Sequence, residues 1–186
     1  MLGRFSGCFF AVVLLLAACK EDGKLGVAGK IDPKVMPSMS TVNVATLISD
    51  SGVTQYKIVS PLWNVYDEVD TPCWKFPKGI YLQKYDRKFN VIATVAADSA
   101  IFFSNQKLWQ LDGNVEMTKV PGELFLTQQL FWDQRRNQIY SDSFIHIETP
   151  ERMLEGHGFE SNDRLTKYTI RRPTGIFPVD KSLQRD

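Results

Sequence analysis

The side chains in this 186-residue chain best suited to metal binding or nucleophilic chemistry are few and badly spaced for either. His146 and His157 are the only histidines, and no Cys/His cluster has the spacing of a metal site. His146 lies between Ile145 and Ile147 in a strand-like run that turns it to the polar side, and His157 lies between Gly156 and Gly158, where backbone geometry outweighs the imidazole. The carboxylates Asp98, Asp112, Asp133 and Asp142 are expected at strand ends and turns, bonding nearby backbone groups. No G-x-S-x-G elbow and no glycine-rich phosphate loop occurs. Cys73, in Thr71-Pro72-Cys73-Trp74, reads as a small buried hydrophobe. These residues point away from an enzyme, a metal site and a cofactor.

The remaining chemistry is at the N-terminus. Arg4 precedes the apolar run Cys8-Phe9-Phe10-Ala11-Val12-Val13-Leu14-Leu15-Leu16, which is short of the roughly 20 apolar residues a spanning helix needs. The run ends in Leu16-Ala17-Ala18-Cys19, which resembles a bacterial lipobox. In that reading residues 1–18 are a signal peptide, Cys19 is acylated after cleavage, and the acyl chains anchor the protein to a membrane. The other reading is an ordinary secretory signal with an incidental cysteine. The mature lipoprotein has one free thiol, Cys73, so its core and not a disulfide must hold it. Lys20-Glu21-Asp22 resembles a surface-export signal of some lipoproteins, while acids at that point are also compatible with retention at the inner membrane.

The elements that follow are strands. Residues 19–40 read as a flexible tether, 41–178 as one folded domain and 179–186 as a polar tail. Lys and Arg number 22 against 21 Asp and Glu, so no net field attracts nucleic acid. Alternating, β-branched and aromatic runs predict strands at 42–49, 56–60, 64–68, 74–76, 80–85 and 91–95, with Pro61 ending the second or setting it at an edge. Beyond them Leu108 to Met117, Leu124 to Trp132, Gln138 to Asp142 and Met153 to Glu160 form a strand ladder of similar units, returning after about thirty residues. Helical periodicity is weak throughout. The fold class is all-β, an antiparallel open roll.

An ordered series of short motifs then resembles the LptC family of the lipopolysaccharide export system. It consists of Ser51-Gly52 before Tyr56-Lys57-Ile58, Val95-x-Ala97-Asp98-x-Ala100, Leu111-x-Gly113-Asn114-Val115, Leu126-Thr127-x-x-Leu130 with Trp132-Asp133, Ile139-Tyr140-Ser141-Asp142 and Glu155-Gly156-x-Gly158-Phe159. The resemblance spans residues 48–170 and implies a twisted antiparallel β-jellyroll with an apolar interior groove. It also implies a periplasmic protein that receives lipopolysaccharide from an inner-membrane ABC transporter and passes it to an LptA-like bridge protein. The best-known members carry an N-terminal transmembrane helix, whereas here the apolar run ends at the lipobox.

A groove for acyl chains needs only continuous apolar surface, because each buried methylene contributes roughly 0.8 kcal/mol. The expected groove residues are Ile58, Trp63, Ile80, Leu82, Val95, Ile101, Phe103, Trp109, Leu111, Val115, Leu126, Leu130, Trp132, Ile139, Phe144 and Ile147. Some face a groove and some are plain core, since a slip of one residue inverts a strand. The open sheet edges, near 41–48 and 168–170, are where an LptA-like partner would add by strand pairing. Two other readings compete: a surface-exposed β-sandwich lipoprotein that binds carbohydrate or protein, and a structural lipoprotein with a filled core.

Overall fold

The structure, a computed structural model, describes residues 36–178. The expected signal peptide, Cys19, most of the tether and the polar tail lie outside the described residues.

Eleven strands follow one another with no helix between them among the described residues: β1 (Met39–Asp50), β2 (Val53–Tyr66), β3 (Cys73–Phe76), β4 (Ile80–Tyr85), β5 (Val91–Ala97), β6 (Ser99–Phe103), β7 (Leu108–Lys119), β8 (Glu123–Asp133), β9 (Gln138–Glu148), β10 (Arg152–Asn162) and β11 (Tyr168–Pro178). They form one antiparallel sheet in the order β11-β10-β9-β8-β7-β5-β4-β2-β3-β6, with β1 on the other side of β2 and β6 returning to β7. Each of the two longest inner strands divides one edge between two partners. Residues 56–59 of β2 pair with β4 and residues 64–66 with β3. Residues 108–112 of β7 pair with β6 and residues 116–119 with β5. The β3–β6 and β4–β5 pairings complete a ring of six strands.

A crease crosses the sheet. Register shifts fall between Asp112 and Val115 on β7, between Thr127 and Phe131 on β8, and between His157 and Phe159 on β10. Gly113 (φ 77), Asn114 (φ 44) and Gly158 (φ 77) have left-handed backbone on this line, and Asp98 interrupts β5 and β6 on it. Bulges bend a sheet and strengthen its twist, so a row of them folds it into two leaves. The first leaf holds β3, β6, residues 108–112, 130–133, 138–141 and 159–162. The second holds β4, β5, residues 115–119, 123–127, 144–148 and 152–156. Contacts between the leaves record the fold: Phe125 of the second meets Phe159, 5.9 Å between ring centroids, and Tyr168 of β11, 6.0 Å, though β8 pairs with neither β10 nor β11.

Where the ladder breaks, side chains supply the missing bonds. Asn114 Nδ2 donates to Asp98 Oδ2 at 2.8 Å, Gln129 Nε2 to Asp112 Oδ1 at 2.7 Å, Thr127 Oγ1 to the Phe144 carbonyl at 2.8 Å, and Ser60 Oγ to the Gly79 carbonyl at 2.7 Å. Ser60, Thr127 and Ser141 are buried polar residues on this line, and buried backbone requires such partners. Of the acids expected to bond turn backbone, Asp133 does so, accepting from Arg135 N and Arg136 N. Asp98 lies at the break between β5 and β6, as expected, but its carboxylate takes a side-chain partner, Asp112 differs from the expectation by lying within β7 with side-chain partners, and Asp142 pairs with Arg171.

Pro61 neither ends β2 nor puts it at an edge, because the strand runs through it between β1 and the β3/β4 pair. The proline lies where one edge changes partner from β4 to β3, and on the other edge the ladder skips from Ser60 to Leu62 opposite Asn43 (φ 52). No ladder position there needs its missing N–H. β1 also begins three residues before the expected start, at Met39.

Candidate functional site

Between the leaves lies a continuous apolar interior. Alternation places Trp109, Leu111, Val115 and Met117 of β7 inward, the two-residue bulge preserving the parity. On β8, Phe125 and Thr127 face inward before the crease, then Leu130 and Trp132 after it, opposite Leu111 and Trp109. On β9 the inward set is Ile139 and Ser141, then Ile145 and Ile147. Phe76, Phe125, Phe159, Ile145 and Ile147 have no exposure at all.

Of the expected groove residues, Ile58, Ile80, Leu82, Trp109, Leu111, Val115, Leu130, Ile139 and Ile147 are buried in this core, and Trp63, Val95 and Trp132 pack against it half-buried. Ile101, Phe103, Leu126 and Phe144 are on the opposite face of the sheet. Ile101 and Phe103 pair with Lys75 and Cys73 and line a surface depression with Tyr66 and Val69. Leu126 pairs with Glu116 and His146, and Phe144 lies edge-on to His157 at 5.3 Å. On that outer face His146 Nδ1 is 2.8 Å from Glu155 Oε1.

The error for Ile101 and Phe103 was avoidable from sequence. The turn at 104–107 sets Phe103 opposite Leu108 and Phe102 opposite Trp109, so an inward Trp109 requires an inward Phe102. For Leu126 the bulge on β8 shifts the inward parity from Phe125 and Thr127 to Leu130 and Trp132, whereas on β9 the parity holds from Ile139 to Ile147 and alternation alone sets Phe144 outward. The interior residues missed include the rings Tyr56, Trp74, Phe76, Phe102, Phe125 and Phe159 and the aliphatic Met117 and Ile145.

The interior is not uniformly filled. A cavity of about 60 Å³ lies between Val95 and Met117 on the second leaf and Trp132 and Ile139 on the first, with Leu165 of the β10–β11 turn closing it. A larger one of about 210 Å³ is bounded by Ile48 and Ile58 on one side and Trp74, Phe102 and Trp109 on the other. Tyr56, Leu82 and Trp132 line both. Lys84, Thr94, Thr118 and Asp163 give the smaller cavity a polar rim, and Lys107 and Gln134 do the same for the larger. Burial pushes the Tyr56 hydroxyl above its ordinary pKa, with the Asp163 carboxylate adding to the effect, so it stays neutral and a hydrogen-bond donor. Burial likewise pushes the Cys73 thiol up, against a smaller opposing pull from Lys75, which keeps it a protonated, unreactive thiol.

Beyond the smaller cavity the first leaf is paved with rings. Trp63 stacks on Phe76 at 5.7 Å and meets Trp74 edge-on at 5.1 Å, Phe76 stacks on Trp109 at 5.8 Å, and Trp109 stacks on Phe102 at 4.8 Å. The Trp63 indole N–H is buried there without a hydrogen-bond partner.

The arrangement offers dispersion and desolvation, with the charged groups at the cavity rims and the buried hydroxyls of Thr127 and Ser141 turned to each other and to backbone at the crease. Among the described residues no group of three His, Cys, Asp or Glu could hold a metal ion. Among the described residues the sheet has two free edges, since β1 pairs only with β2 and β11 only with β10.

No curated protein matches the chain in sequence. The profile of a family described as lipopolysaccharide-assembly, LptC-related, matches residues 9–172. The matched span contains the crease, both leaves and the start of β11, and the chain belongs to this LptC-related family, with its role in lipopolysaccharide transport.

Proposed function

We propose that the chain is a periplasmic carrier, anchored through acylated Cys19, that accepts lipopolysaccharide from an inner-membrane ABC transporter and hands it to an LptA-like bridge protein. The acyl chains lie between the leaves, and the sugar portion stays at the polar rim. The observation that carries this reading is the interior itself: one apolar face from every strand of the roll, with cavities between the leaves and charged groups confined to their mouths. Such a surface gains free energy in proportion to the hydrocarbon it covers and asks for no fixed chain geometry. The free β1 and β11 edges provide unpaired backbone groups to which a related sheet can add a strand, so that the apolar troughs of two proteins run on from one another.

The test is photo-cross-linking in cells with a reactive residue at Trp132 or Ile139, facing inward, and at Leu126 or Arg136, on the outer face and in a turn. Lipopolysaccharide adducts at the first pair and none at the second are expected. A folded, expressed protein that gives no adduct at Trp132 or Ile139 would sink the carrier reading.

A further inference from the structure

The interior is interrupted at one place. Tyr56, on the second-leaf half of β2, and Trp132, at the first-leaf end of β8, meet edge-on with ring centroids 5.5 Å apart. β2 and β8 share no backbone pairing, so this contact is made only by side chains reaching across the gap between the leaves. The same two rings, with Leu82, are the walls common to both cavities. Cavities of about 60 and 210 Å³ are each below the roughly 300 Å³ at which pockets for small molecules begin, so neither alone accommodates a long acyl chain.

Building on the carrier reading, we propose that Tyr56 and Trp132 form an aromatic gate that divides the trough and must part before an acyl chain can occupy its length. Both rings are half-buried, outside the tightly packed set around Phe76 and Phe125. Each can swing about its own side-chain torsions without breaking a ladder bond. Lys84 and Asp163 line the mouth of the smaller cavity together with Tyr56, and Lys84 Nζ lies 6.0 Å from the Tyr56 ring centroid. When the ring swings towards the mouth its hydroxyl therefore enters a polar setting. The gate keeps the empty trough closed to water and opens to hydrocarbon, which replaces the ring contact with a larger apolar one.

The experiment follows uptake of lipopolysaccharide carrying a fluorescent acyl label by the full-length chain in nanodiscs, mixed rapidly. Tyr56→Ala and the milder Tyr56→Leu should raise the association rate about two- to tenfold, the range expected for removing one ring contact. Tyr56→Phe, which keeps the ring, should match the unmodified chain. Phe144→Ala removes a ring contact on the outer face, edge-on to His157, without touching the trough or the gate and should leave the rate unchanged. Equal rates for Tyr56→Ala, Tyr56→Leu and the unmodified chain would overturn the gate and leave the carrier reading intact, as would an equal acceleration by Phe144→Ala. No binding by any of the folded chains would overturn both.

Discussion

The two leaves of this sheet enclose one interior but are built from different residues. The first presents Trp74, Phe76, Phe102, Trp109 and Trp132, most of them in stacked or edge-on contact with a neighbour. The second presents Ile58, Leu82, Val95, Val115, Met117, Ile145 and Ile147, with Tyr56 and Phe125 as its rings. Rings have few rotatable bonds and defined pairing geometry, so a plate of them holds its shape. Aliphatic side chains and methionine adapt to irregular volumes. A rigid plate facing a compliant one suits a cargo of variable hydrocarbon better than two of either kind. One leaf fixes the position of the sheet and the other takes up the mismatch.

The largest test of that contrast is Phe76→Ala. Phe76 has no exposure and stacks on both Trp63 and Trp109, so truncation empties the centre of the rigid plate and should cost about 3–5 kcal/mol in denaturant unfolding. On the compliant leaf, Ile147→Val at an equally buried site should cost about 0.5–1.5 kcal/mol and leave lipid adducts at Trp132 unchanged. A Phe76→Ala loss no larger than that of Ile147→Val would remove the distinction between the leaves.

The crease that separates the leaves is the next target. A Cβ at Gly156 would lie 2.5 Å from the Arg172 carbonyl oxygen and 2.5 Å from Ile170 Cγ2, so β10 and β11 approach here as only glycine permits. Gly156→Ala should cost about 1–3 kcal/mol by overpacking and lower the melting temperature, with the β10–β11 half of the sheet losing amide protection before the β2–β7 ring does. Simultaneous loss across the whole sheet would mean that the β10–β11 end and the β2–β7 ring unfold as one unit.

The motifs that marked the family in the sequence are largely this crease. Ala97-Asp98, Gly113-Asn114, Thr127, Ser141-Asp142 and Gly156-x-Gly158 recur about every fifteen residues, once per strand and turn, which is the half-period of the hairpin repeat. Antiparallel pairing was legible because hairpin turns such as 104–107 and 134–137 punctuate alternating runs. The free edges near 41–48 and 168–170 were legible for the same reason. The non-sequential β5-β4-β2-β3-β6 ring was not, because β2 and β7 each change partner midway. Facing was legible only up to the nearest bulge. Leu126 follows the alternation of Leu130 only if the strand is regular, and the bulge between them changes the parity with no local residue type to announce it, whereas Phe144 is out of phase with both Ile139 and Ile147 and alternation alone sets it outward. Tyr56 and Trp132 meet across the fold between strands that do not pair, and nothing in their separation along the chain encodes that contact.

Outer-face residues give a smaller effect and a sharper control. Leu126 and Phe144 are exposed at 37% and 40%, so Leu126→Ala and Phe144→Ala should each change stability by no more than about 0.5 kcal/mol. Transport of lipopolysaccharide should continue at the unmodified level. A transport defect in either folded variant would move a functional surface to the outside of the roll.

The smallest effect concerns the tip of the second leaf. In the β4–β5 turn Asp86 Oδ1 accepts the backbone N–H groups of Lys88 and Asn90, each at 2.8 Å, and Oδ2 accepts Asn90 Nδ2 at 3.0 Å. Hydrogen bonds from the Asn90 backbone and side chain, with a smaller contribution from Lys88, hold the Asp86 carboxyl below its ordinary value of 3.8. A folded-state pKa below the unfolded one means that the stabilisation is complete above 3.8 and is lost as pH falls through the folded value. The Lys88 and Asn90 amide resonances should therefore titrate together with a midpoint below 3.8, and Asp86→Asn should abolish that titration. Because the turn is fully exposed and stacked only through Tyr85 and Phe89, acid should loosen this tip while the ring-paved first leaf keeps its near-ultraviolet dichroism. If the aromatic signal falls in step with the Asn90 titration, the leaves unfold as one unit and the tip is coupled to the plate.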